Sequence, residues 1–295
     1  MEMPNPTVAV CVFPAVLANP DVVDDGSGVP YRLDLVDAGG YRRAGSWMFP
    51  FPGKGEKYVR KAEVTALAAA IDPETSWLVT ETNRRKDIDV FGLIPDDFGT
   101  EPGTVQRVRD LVDSIETPPL REFLSDAFSL IPMFHNFWTC PASQNHHHDY
   151  RGGHALHSIE MAEWVAETPR LGMVDRDIGI AYALLHDVGK LWCYTEYGRK
   201  HLIASDHELV GVAKLNDALE DLQEKWPSGA VSLRSLLSGA WKSKGALPLL
   251  SVGKLVQACD QRSAEADLRP RTGHRYRPWM ATPYQDNVRN FPSRQ

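Results

Sequence analysis

The rhythm of apolar and polar positions changes about a third of the way along the chain. The first hundred residues contain short β-like stretches at 7–13, 31–36 and 41–49, with Asp37–Gly40 (DAGG) as a turn signal between the last two. Residues 57–71 predict a helix, because Val59, Ala62, Leu67 and Ala70 fall near helical spacing. Residues 76–82 and 88–93 predict two further strands. The stretch 95–104 (PDDFGTEPGT) is acidic and rich in Gly and Pro, so it reads as a linker. Beyond it the pattern turns helical. Helices are predicted at 105–115, 120–130, 154–167, 175–191, 206–222, 233–241 and 252–268, with Asp175 or Asp177 as a cap for the fourth. TEYGRKHLIA after Trp192 reads as a hairpin turning at Gly198. The expected fold class is therefore α+β: a small β-rich α+β module at 1–100, then a mostly α-helical bundle at 101–268, then a tail at 269–295.

Composition narrows the class. The 295 residues are 43% hydrophobic and 24% charged, the balance of a soluble globular protein with one large domain or two ordinary ones. Collagen, coiled coil and wholesale disorder are excluded. The longest apolar run, residues 8–18, contains Pro14 and is far short of the roughly 20 residues a bilayer needs. The opening MEMPNPT carries Glu2 and no basic residue, so it is not expected to be a secretory signal, and no membrane partner is expected. Cys11, Cys140, Cys193 and Cys259 form no CxxC and sit among apolar neighbours, as buried free thiols in a reducing cytoplasm do. Net charge is −7, unevenly spread. Residues 269–295 hold six arginines against one acid, a net of +5 that leaves −12 on the rest. An acidic body argues against gripping duplex DNA over the whole surface, whereas the basic tail permits a local nucleic-acid contact.

Chemistry concentrates in the histidines. Six of the ten fall between His146 and His186. His and Asp together suit borderline divalent metals such as manganese, iron or zinc. His186 and Asp187 are adjacent on a predicted apolar helix, where two ionisable groups are costly unless paired or bound to metal. His157 lies on the preceding helix and Asp260 on the last. Four ligands from three helices leave coordination positions open, which is a catalytic rather than a structural arrangement. No GxxxxGK[ST], GxSxG or HExxH is present, so P-loop, serine-hydrolase and zincin chemistry are not expected.

The same residues carry a resemblance. His157, then His186–Asp187 in HDVGK, then Asp260, is similar to the HD superfamily of metal-dependent phosphohydrolases, which implies an α-helical HD-type bundle, divalent metal at those four positions and hydrolysis of a phosphate ester. More narrowly, PASQNHHHDYRGGHALHSIEMAEWVA resembles the N-terminal domain of MobH-type (TraI-like) conjugative relaxases, with Asp260, Gln261 and Ser263 supplying the last element of the pattern. The region also resembles YhaM-type 3′-5′ exoribonucleases, in which a His after the hairpin makes His207 a substrate-binding candidate. The resemblance covers residues 134–268. It implies a manganese-dependent phosphodiesterase or nuclease, with iron(II), magnesium, zinc or nickel as alternative ions and single-stranded nucleic acid as substrate. A nucleotide or small phosphate-ester phosphohydrolase is the alternative, and a non-catalytic accessory protein on the same scaffold is the competing class.

Residue chemistry then assigns further roles. One or more of His146, His147 and His148 could bind phosphate, ligate a second metal or protonate the leaving oxygen. Gly152 and Gly153 would let backbone approach a phosphate at a helix N-terminus. Arg151 is a candidate phosphate clamp. Lys190, one turn after His186, would offset negative charge near the site. Trp138, Trp164 and Trp192 are expected in the core or pocket wall. The residues leave open which of the three consecutive histidines points inward, and the oligomeric state.

Overall fold

A computed structural model describes residues 9–22, 26, 28–37, 40–47, 60–68, 75–85, 87–143, 146–194, 206–243 and 250–272. The fold is α+β. The chain divides into two compact units, one of residues 1–98 with 122–135, the other of residues 99–121 with 136–295.

The first unit is built on five strands: β1 (Val10–Val22), β2 (Tyr31–Asp37), β3 (Gly40–Ser46), β4 (Arg60–Ala68) and β5 (Thr75–Arg84). They close into a barrel in the order β1-β2-β3-β5-β4, with β4 pairing back onto β1. Only the β3–β5 pair is parallel. Inward positions alternate along β1, β2 and β4. Ala15, Leu17, Leu33, Leu35, Ala44, Ala62, Val64, Ala66 and Val79 fill the interior, a mixture of small and large side chains that suits a narrow barrel. Strand β1 runs well past the expected 7–13 despite Pro14. Its pairing with β2 begins only at Val16, so Pro14 has a single neighbouring strand, where its missing N–H costs no second ladder bond.

Two expectations fail here. Residues 60–68 form strand β4, not a helix: Ala62, Val64 and Ala66 supply a period of two that the narrow barrel interior selects over the helical spacing of Val59, Ala62 and Leu67. Residues 88–93 form a single 3₁₀ turn at Val90–Gly92 rather than a strand, because the Asp89 carboxylate accepts from Phe91 N and starts the turn. A second 3₁₀ turn, Asp96–Phe98, occupies the stretch read as linker.

The helices are α1 (Thr104–Asp113), α2 (Pro118–Phe128), α3 (Ile131–Asn136), α4 (Gly153–Ala166), α5 (Met173–Leu185), α6 (Lys190–Cys193), α7 (His207–Lys214), α8 (Asn216–Lys225), α9 (Pro227–Leu237) and α10 (Leu250–Thr272). Helix α1 packs Val105, Val108, Leu111 and Val112 inward and is tied to α4 by a bidentate Arg107–Glu163 pair at 2.7 and 2.8 Å. Helix α5 is apolar nearly all round, as a central helix must be. The acid of its second turn, Asp177, does not cap its own helix. It is fully buried and accepts from Glu116 N, Thr117 N and Thr117 Oγ1, which satisfies backbone donors ahead of α2. The predicted helix 175–191 stops at Leu185, and His186–Gly189 form a turn before α6. The predicted helix 206–222 breaks at buried Leu215 into α7 and α8. The predicted hairpin after Trp192, and the tail beyond α10, lie outside the described residues. Among the described residues no helix is long and apolar enough to cross a membrane. The cysteines are free thiols, three of them buried.

Candidate metal centre

The centre forms where α4, α5 and α10 pack together. Helix α4 contributes His157, the end of α5 contributes His186 and Asp187, and α10 contributes Asp260. His157, His186 and Asp187 offer ligand atoms within 4.8 Å of one another, as do His147, His157 and Asp260. These clusters could hold a metal ion. The His157 and His186 rings lie 5.2 Å apart, and His147 lies 4.9 Å from His157.

Both central imidazoles are anchored through Nδ1. His186 Nδ1 lies 2.9 Å from the carbonyl of Ala183, which can only accept, so this nitrogen carries the proton. His157 Nδ1 lies 2.9 Å from Ser263 Oγ, and that hydroxyl gives its own proton to Glu160 Oε2 at 2.6 Å, so His157 Nδ1 is also N–H. His157, which burial keeps neutral, then carries its lone pair on Nε2. His157 Nε2 faces Asp260 Oδ1 at 3.2 Å, and His186 Nε2 faces Asp187 Oδ2 at 3.2 Å. Neither Nε2 has a hydrogen-bond partner. A lone pair against a carboxylate is repulsive unless a cation or a proton stands between them. At His186 a proton can serve: burial opposes the imidazolium, but Asp187 outweighs burial and raises its pKa. At His157 burial dominates and the pKa is lowered, so a proton is the poorer occupant. A neutral His157 and a His186 with its outer nitrogen anchored, beside ionised carboxylates, make a donor set that could hold a divalent cation.

Both carboxylates are held ionised. Burial would raise Asp187, yet His186 and Lys190 beside it outweigh burial and hold it well below the usual range. Burial would raise Asp260 too, and the contact with His157 and the charge of His186 bring it down. Lys190 Nζ bonds Asp187 Oδ2 at 2.5 Å and the Ala142 carbonyl at 2.9 Å. Burial disfavours its ammonium, but Asp187 overrides this and its pKa is raised. Lys190 is thus a tether between the turn and the segment before the three consecutive histidines.

Those histidines separate cleanly. His146 is exposed. His147 points into the cleft, its Nε2 buried without a hydrogen-bond partner, and burial lowers its pKa so that it stays neutral. His148 turns away: Nδ1 meets Tyr150 OH at 2.8 Å, Nε2 meets Ser263 Oγ at 3.0 Å, and its backbone N–H donates to Asp267 Oδ2 at 2.8 Å. His148 also adopts φ +46°, left-handed backbone that a non-glycine residue holds only when its surroundings fix it.

The glycines serve packing rather than an open cradle. Gly152, at φ +84°, leaves room for Thr100, and a Cβ on Gly153 would meet the His148 carbonyl oxygen at 2.2 Å. Arg151 is exposed and does not line the cleft. His207 begins α7, with Asp206 as its cap, and its Nε2 lies 3.1 Å from Asp187 Oδ1. It reaches there because Gly189 and Gly211 have no side chains: a Cβ on Gly189 would fall 1.8 Å from the His207 carbonyl oxygen.

The cleft over the centre has a volume of about 270 Å³. Its walls include Tyr182, Trp241 and Gln257, which the sequence pattern did not single out, with the Lys242–Glu208 pair (2.8 Å) beside them. Burial lifts the Tyr182 phenol to about 12. Trp138 is core, and Trp164 and Trp192 do not line the cleft. Ser263 was part of the sequence pattern, but its contact with His157 Nδ1 and the role of Glu160 as acceptor of its hydroxyl were not read from it. Their signal was helical spacing, Glu160 three residues after His157 and Ser263 three after Asp260. His154 is fully buried with both ring nitrogens unpartnered, and burial lowers its pKa to about 3. Comparisons with protein-family models, with curated proteins and with solved structures find no match to this chain.

Proposed function

We propose that the chain is a metal-dependent phosphohydrolase on an HD-type helical bundle, with His157, His186, Asp187 and Asp260 as the ligand set, manganese as the ion and a phosphodiester of single-stranded nucleic acid as substrate. One observation carries the reading: His157 and His186, each with Nδ1 anchored by a hydrogen bond, turn Nε2 toward ionised carboxylates at 3.2 Å beside an open cleft. When bound, a divalent ion supplies Lewis-acid polarisation of a phosphoryl oxygen and activation of water. The residues supply the rest. His147 presents a neutral nitrogen to the same space and can take up a proton. His207, bonded to Asp187 and partly exposed to the cleft, is placed to contact a phosphoryl or leaving oxygen. Lys190 holds Asp187 in place. The five-stranded closed barrel supports the nucleic-acid part by analogy, since such barrels often take oligonucleotides across strands 2 and 3.

A second reading, hydrolysis of a nucleotide or other small phosphate ester, is favoured by the cleft volume of about 270 Å³, just below the roughly 300–1,000 Å³ of drug-sized ligand sites. Purified protein with manganese, tested on labelled single-stranded DNA, single-stranded RNA and bis(p-nitrophenyl) phosphate, decides between them. The expected result is cleavage that requires the ion and is lost in Asp187→Ala. Metal uptake without cleavage of any of the three shifts the reading to small nucleotides or to a non-catalytic role. Absence of stoichiometric metal overturns it.

A further inference from the structure

We propose that Ser263 is the positioning residue of this centre: one hydroxyl sets the tautomers of two histidines, which aims His157 at the metal and withdraws His148 from it. The proposal rests on the metal-binding reading, but its first measurement does not need metal.

Ser263 lies on α10, fully buried, one turn beyond Asp260. Its Oγ meets three groups: Glu160 Oε2 at 2.6 Å, His157 Nδ1 at 2.9 Å and His148 Nε2 at 3.0 Å. A hydroxyl has one proton and two lone pairs. The Glu160 carboxylate only accepts, so it takes the proton. Both imidazoles must then donate to the lone pairs. His157 is therefore Nδ1–H, with Nε2 bare toward Asp260. His148 is Nε2–H, with Nδ1 free to accept from Tyr150 O–H at 2.8 Å. The two histidines carry opposite tautomers because they approach one oxygen through different nitrogens.

His148 is committed on both ring nitrogens and through its backbone N–H to Asp267, also on α10. Its left-handed backbone is held by these contacts, and the preceding residue, His147, is the one left facing the cleft. Ser263 and Asp267, one turn apart, thus fasten the histidine loop to the helix that carries Asp260. Glu160, on α4 beside His157, completes the set without reaching the ligand space itself.

The test reads the imidazole nitrogens directly. Long-range ¹H–¹⁵N correlation of metal-free protein at about pH 8, above the ordinary histidine range, is expected to show His157 as Nδ1–H and His148 as Nε2–H. His157 found as Nε2–H overturns the proposal without any variant. In Ser263→Ala the fixed tautomers are expected to become mixtures, and manganese affinity, read by titration calorimetry, to fall about 10- to 100-fold. Ser263→Thr, which keeps the hydroxyl, is expected to restore both signals. A Ser263→Ala protein that keeps tautomers and affinity overturns the assignment. If wild type shows the stated tautomers but takes up no metal, the metal reading fails while the assignment of Ser263 stands.

Discussion

Residue identity in the centre matters less than which nitrogen each histidine presents. Three consecutive histidines have three fates: exposed, inward, and anchored outward. His146→Ala is expected to leave stability within about 0.5 kcal/mol, the usual range for exposed substitutions. His147→Ala is expected to lower kcat/KM on bis(p-nitrophenyl) phosphate about 10²-fold or more, the range for loss of a proton-transfer group. Equal rates for the two variants would contradict the inward orientation of His147. The clustering of His157, His186, Asp187 and Asp260 was legible in the sequence because ionisable pairs inside apolar helices need a reason to be there. The choice among the three histidines was not, since it depends on a left-handed backbone at His148 and on contacts to Ser263 and Asp267, more than a hundred residues away. His154 makes a separate claim. Its pKa of about 3 lies below that of an unfolded histidine, about 6.5, because it is wholly buried. The unfolded chain then binds a proton the folded chain refuses, so stability is full above about pH 6.5 and is lost as pH falls toward 3. The slope approaches about 1.4 kcal/mol per pH unit from this group. His154→Leu is expected to flatten the pH dependence of the urea midpoint between pH 6 and 4 relative to wild type. Parallel curves would show that His154 does not stay neutral in the fold.

Elements in this chain end where packing ends them, which local pattern reports only in part. Helices α1 and α10 were recognisable from spacing because each buries a stripe, and α4 from its length, although its first two turns are buried all round. Strand β4 was not, since its alanines satisfy helical and strand periods alike and only the barrel interior selects one. Helix α5 was read too long for a related reason: nothing in the pattern shows that His207 approaches Gly189, which requires the turn. Gly189→Ala therefore tests an element boundary. A Cβ there would sit 1.8 Å from a backbone oxygen, so α7 must shift and His207 must leave Asp187. The expected cost is about 1–3 kcal/mol of stability, with a larger proportional loss of turnover because His207 and Asp187 move together. Unchanged denaturation midpoint and unchanged rate would mean that α7 is not seated on this turn. Asp177 poses the complementary case, a side chain of α5 that satisfies backbone donors ahead of α2. Asp177→Ala leaves those donors without their acceptor inside the fold. It is expected to cost about 1–3 kcal/mol for each unsatisfied group that water does not reach, measured by chemical denaturation.

At the scale of the whole molecule, the partition of the chain does not follow its order. Residues 122–135 return to the first unit after residues 99–121 have entered the second. Named contacts show why. Lys61 of β4, only 8% exposed, pairs with Asp126 at 2.6 Å and reaches Ser125 at 3.3 Å. Ser125 Oγ accepts from Val90 N, Phe128 packs on Phe91 with centroids 4.9 Å apart, and Phe134 meets Phe98 at 5.5 Å. A break in texture near residue 100 was visible in the sequence. The return was not, because it rests on side chains that meet across more than thirty residues. These contacts make the second half of α2 part of the barrel's cooperative unit, and cooperative units are measurable. Phe128 is fully buried, so Phe128→Ala is expected to cost about 3–5 kcal/mol. Native-state hydrogen exchange across a denaturant series should place that loss in the opening free energy of β1–β5 together with Val90 and residues 122–135. Amides of α4 and α5, packed on each other and on α10, should keep their wild-type opening free energies. If α4 and α5 lose protection by the same amount, the chain unfolds as one block and the partition has no energetic meaning. If only residues 122–135 lose protection, the contacts to Lys61 and Phe91 do not couple them to the barrel.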